Sequence, residues 1–88
     1  MERKINAIPV KELAKVINVH KNTLFAWMCH YSLAKYNYQI YTEKGTVENM
    51  FKLNKDSLSA FRNYLSRKRI KYLTYLEARM DEIKKYYA

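Results

Sequence analysis

The chain has 88 residues, with seventeen Lys and Arg against eight Asp and Glu, a net charge of +9. At that size a single domain is expected, one that buries only about 60–65% of its unfolded surface. The charge excludes no fold but favours nucleic acid or an anionic surface as partner. No run is long and apolar enough to span a bilayer, and MERKINAIPV holds no signal-peptide core, so a cytoplasmic, nucleoid-associated protein is expected. One Cys and two His give neither an internal disulfide nor a metal set, so no metal or cofactor is expected.

Residues 1–8 are polar and are expected to form a flexible N-terminus. From Pro9, Val10, Leu13, Ala14 and Ile17 fall at helical spacings of three and four, with Pro at a helix start where its missing N–H costs little. Asn18 is the expected stop, because Asn enters the left-handed conformation that a helix C-terminus demands. A second helix from about Lys21 to Met28 buries Leu24, Trp27 and Met28. Next, YNYQIYTEKGTVENMFKLN alternates on both sides of Glu43-Lys44-Gly45, which contains the single glycine of the chain. It is expected to form a two-stranded hairpin whose turn uses positive φ at Gly45.

Asn54 or Asp56 then caps a long helix reaching to about Tyr86, which would extend about 50 Å at about 1.5 Å per residue. Its apolar residues change phase along the way. Leu58, Phe61 and Leu65 form one stripe, Ser66-Arg67-Lys68-Arg69 interrupts it, and Leu73, Leu76, Met80, Ile83 and Tyr87 resume at 3-4-3-4 spacing. That second stripe has the pattern of a coiled-coil seam and is expected to pair two subunits, the alternative being a fold back onto the chain's own core. Charge follows the same division: residues 55–72 hold six basic side chains and one acidic, and residues 73–88 hold three of each.

Mainly α structure with a small β-hairpin follows, and the order helix, helix, hairpin, helix is that of a winged helix-turn-helix followed by a long C-terminal helix. VKELAKVINVHKNTLFAW, then the hairpin, then KDSLSAF, resembles the MerR-type and excisionase-like winged-helix families. Ala14 stands at the small position where two crossing helices touch and Asn18 at the corner where glycine is usual. Leu13, Ile17, Val19, Leu24 and Trp27 stand at the wedge positions. Leu58 and Phe61 stand three apart, as a Leu and a Phe commonly do at the start of the helix after the wing. The resemblance covers residues 8 to 65. It implies a DNA-binding domain over residues 9–65, and a C-terminal helix over residues 66–88 that makes a homodimer.

In such a domain the second helix reads bases. Its open face holds Lys21, Asn22, Thr23, Phe25 and Ala26, with His20 where the helix begins. Asn pairs bidentately with adenine, Lys reaches guanine or a phosphate, and Phe or Ala meets a thymine methyl. Phe25 is equally suited to the core. Lys44 at the wing tip and Arg62, Arg67, Lys68 and Arg69 are candidate phosphate contacts; for the last three a merely solvated face is as good a reading. Phosphate contacts set affinity and salt dependence rather than sequence choice.

The function expected is sequence-specific binding of double-stranded DNA by a small dimer, most simply a transcriptional regulator. An excisionase-like factor and a plasmid or chromosome segregation factor share the same physics. A protein-interaction module with a basic face is the alternative from another class, and it allows an additional protein partner. An enzyme is not expected: there is no Gly-rich phosphate loop, no nucleophile–base pair, and the acidic residues are scattered.

Overall fold

The computed structural model describes residues 6–86, with the backbone alone at Lys85. It is mostly helical with a small three-stranded antiparallel sheet. In chain order the elements are β1 (Ala7–Pro9), α1 (Val10–Val16), α2 (Lys21–Met28), α3 (Tyr31–Ala34), β2 (Asn37–Tyr41), β3 (Val47–Lys52), α4 (Lys55–Lys68), α5 (Ile70–Ala78) and α6 (Met80–Ile83). A 3-10 turn, Lys84–Tyr86, follows. The sheet order is β1-β3-β2, with Ile8 opposite Phe51 and Gln39 opposite Asn49.

The corner between α1 and α2 follows from a few hydrogen bonds. Val19 N–H donates to Ala14 O at 2.9 Å and Asn18 N–H to Lys15 O at 3.2 Å. These are the two bonds of a Schellman ending, and they require a left-handed residue at Asn18, whose φ is 60°. His20 then opens α2: its Nδ1 accepts from Asn22 N–H at 3.1 Å, and its carbonyl accepts from Leu24 N–H at 3.0 Å. The hairpin closes as the sequence predicts. Gly45 has φ of 82°, and Thr42 N–H donates to Thr46 O at 2.9 Å. Of the two candidate caps for α4, Asn54 serves. Its side-chain oxygen accepts from Ser57 N–H at 2.9 Å, and Ser57 Oγ accepts from Asn54 N–H at 2.8 Å, a reciprocal capping box.

Two sequence expectations are corrected. Residues 7 and 8 are not a frayed tail but part of a strand, with Ala7 and Ile8 buried against β3; residues 1–5 of the expected flexible segment lie outside the described residues. Pro9 holds Ile8 extended, and the apolar Ile8 side chain completes the core behind Phe51.

The expected long helix is divided. Arg69 leaves the helical region, with φ −145° and ψ 60°, and Arg79 interrupts the path again, with φ −119° and ψ 24°. The longest extent of the molecule is 37 Å, shorter than the undivided helix would be. The phase change between the two apolar stripes is the cause: only by breaking at Arg69 can both stripes face one core.

The C-terminal stripe meets the chain's own core, the second of the two readings open to it in the sequence. Leu76 and Ile83 are fully buried in the same cluster as Leu13, Phe51 and Leu65, while Leu73 and Met80 pack against it. Tyr87 lies outside the described residues. The segment is pinned by charge as well. The Arg79 guanidinium donates to Val16 O at 3.3 Å and to Lys15 O at 3.4 Å, the latter shared with Asn18 N–H, at the carbonyl end of α1. Residues 66–86 thus belong to the same packed unit as the helices before them. Among the described residues no helix is long and apolar enough to cross a membrane.

Candidate nucleic-acid interface

Helix α2 is amphipathic across its width. Leu24 and Met28 are fully buried and Trp27 nearly so, while Lys21, Asn22, Thr23 and Ala26 are exposed. The helix carries no acidic residue, and its first turn is therefore free of local repulsion toward a phosphate. The Asn22 side-chain amide makes no hydrogen bond to another described residue and points to no structural duty of its own. His20 is occupied as the N-cap, so its ring serves the helix start and leaves only its outer edge for a partner.

The face of α2 is not isolated. A cleft of about 340 Å³ separates its first turns from β3 and is lined by Lys21, Asn22 and Phe25 on one side and Thr46, Val47, Glu48 and Asn49 on the other. Phe25 does both things open to it in the sequence: it is half buried against the core and it also walls this cleft. Lys11 of α1 closes one end, its Nζ 3.3 Å from Glu48 Oε2. The hairpin beyond is held rigid by the Gln39 Nε2 to Asn49 Oδ1 bond at 3.0 Å and by the contact between the Thr42 and Thr46 hydroxyls at 2.7 Å. Its outer part leaves Tyr41 and Val47 exposed, and Lys44 is exposed at the tip, outside the cleft.

The remaining basic candidates do not join that face. Arg62 bridges α4 to α5, its Nη2 at 3.2 Å from Glu77 Oε1. Arg69 sits at the helix break with its guanidinium 5.3 Å from the Trp27 ring centroid, a cation–π contact. Arg67 and Lys68 are exposed and line a second, separate cleft between α3 and α4. The sequence grouped these four with α2 on charge alone. Folding sends two of them into structural contacts and two to another surface.

Residues that the sequence did not single out are Lys11 of α1, Thr46 of the turn, and Val47, Glu48 and Asn49 of β3, which line the cleft with α2. Their polar alternation was visible, but not which strand would lie beside α2. Among the described residues no group of three or more His, Cys, Asp or Glu is placed to hold a metal ion, and Cys29 is exposed and unpaired. Compared with family models, curated proteins and solved structures, the chain matches none.

Proposed function

We propose that the protein binds double-stranded DNA in a sequence-specific manner as a small transcriptional regulator, with α1 and α2 as a helix-turn-helix and β2–β3 as its wing. The observation that carries this reading is the open face of α2. Lys21, Asn22, Thr23 and Ala26 are presented by a helix that carries no acidic residue and whose other side is locked into the core by Leu24, Trp27 and Met28, while Glu48 in the adjoining cleft is paired with Lys11. Such a helix fits the major groove, where Asn22 pairs with an adenine edge, Lys21 reaches a guanine or phosphate, and Ala26 meets a thymine methyl. The hairpin flanks the same face, and Lys44 at its tip meets the backbone. The net charge of +9 supplies the sequence-independent attraction.

Because the C-terminal stripe is consumed inside the chain, each molecule reads its site alone, and the preferred sequence is expected to lack two-fold symmetry. Selection of bound duplexes from a random pool, repeated at two salt concentrations, tests this directly. Asn22→Ala is expected to cost about 1–3 kcal/mol on the selected site and little on random DNA. An equal loss on both removes Asn22 from base reading, and a pool that yields no motif removes sequence-specific binding altogether.

A further inference from the structure

The cleft between α3 and α4 has a composition that duplex reading by α2 does not use. It is about 730 Å³ in volume, and its charged walls are Lys35, Arg67 and Lys68, with no carboxylate among the lining residues. Beside them stands Tyr31, 83% exposed although it is a large aromatic side chain. Its ring is not loose. It rests on His30, with centroids 4.5 Å apart and planes inclined at 32°, and His30 in turn packs on Tyr64 at 5.1 Å. His30 is itself fixed by its Nδ1, which lies 2.8 Å from Ser32 Oγ. One face of Tyr31 is thus backed by a stack of rings and the other is turned to solvent, at the mouth of a cationic groove.

An exposed ring supported from behind is a platform for another flat ring, and cations spaced along the same groove match a chain of phosphates. Duplex DNA offers phosphates but keeps its bases stacked inside, so it leaves Tyr31 without a partner. An acidic peptide without aromatic side chains satisfies the cations and likewise leaves the ring idle. A single strand supplies both, an unstacked base and a flexible anionic backbone. The geometry points to this cleft as a binding site for single-stranded nucleic acid, with a base stacked on Tyr31 and the flanking phosphates on Lys35, Arg67 and Lys68. This site lies apart from the α2 cleft and stands or falls independently of the duplex reading.

Fluorescence anisotropy with a labelled oligothymidylate of about ten nucleotides, within the range of site sizes that such grooves cover, tests it. The full chain is expected to bind the oligonucleotide. Tyr31→Ala should weaken that binding about tenfold while Tyr31→Phe retains it, as expected for stacking rather than for the hydroxyl. Replacing Arg67 and Lys68 together by Ala should flatten the dependence of log affinity on log salt by about 1.4, two phosphates at about 0.7 each. Asn22→Ala should leave oligothymidylate binding unchanged, which separates this site from the α2 face.

The proposal is overturned if the wild-type chain does not bind the oligonucleotide, or if Tyr31→Ala binds it like wild type. It is equally overturned if Tyr31→Ala weakens a duplex as much as the single strand. Displacement by polyglutamate as effective, charge for charge, as by unlabelled oligothymidylate would instead assign the groove to acidic proteins.

Discussion

Single side chains decide where this backbone turns. Asn18 holds the α1–α2 corner at φ 60°, a conformation that costs an ordinary L residue about 1–2 kcal/mol. Asn18→Ala is therefore expected to lower stability by about 1 kcal/mol, read by urea denaturation, whereas Asn18→Gly should leave it equal or raise it. A second residue-scale effect concerns Tyr38 on β2, whose phenol is pushed above the usual tyrosine value of 10.0 by burial. Burial favours the neutral form in the folded chain, so the associated stability is present below pH 10 and is lost as pH rises through the higher folded value. The wild-type chain should thus lose stability more steeply than Tyr38→Phe across that alkaline window; parallel losses would mean that other groups dominate there.

Between elements, the contacts that matter most join segments far apart in sequence. The Arg79 guanidinium donates to two carbonyls at the end of α1, across 63 and 64 positions. Charged hydrogen bonds of this kind contribute more than neutral ones, and Arg79→Ala is expected to destabilise the fold by about 1–2 kcal/mol. Hydrogen exchange should show the loss concentrated in the last turn of α1 and in α5–α6; uniform change over the molecule would contradict the capping role.

Elements built from local signals were legible beforehand. α1, its stop at Asn18, α2 and the hairpin at Gly45 all announce themselves by spacing and turn chemistry. β1 and α3 did not, because three and four residues are too few to show a period. The face of α2 could be drawn from its own sequence, but its opposite wall could not, since Thr46 and Asn49 arrive there through sheet pairing.

At the scale of the whole molecule, the C-terminal third packs on the core of its own chain. A 3-4-3-4 stripe states that a face will be buried but not by what, and here Leu76 and Ile83 find Leu13, Phe51 and Leu65 of the same chain. α5 and α6 add Leu76 and Ile83 to the core, with Tyr72, Leu73 and Met80 packed beside them. Leu76→Ala is expected to cost about 2–5 kcal/mol, much of the stability of a small domain. Sedimentation should give the mass of one chain for wild type and variant alike, and a wild-type dimer that the variant splits would restore the stripe as a subunit contact.

The position of Trp27 carries a practical consequence. It is the single tryptophan of the chain, 7% exposed, with Tyr72 of α5 at 5.2 Å, Tyr64 of α4 at 6.2 Å and the Arg69 guanidinium against its ring. The indole is thus an optical probe lodged where α2 meets the folded-back arm. Detachment of α5 would wet it and shift its emission to the red while circular dichroism kept most of its helical signal, so the protein can report the undocking of its arm separately from its unfolding, with no dye attached.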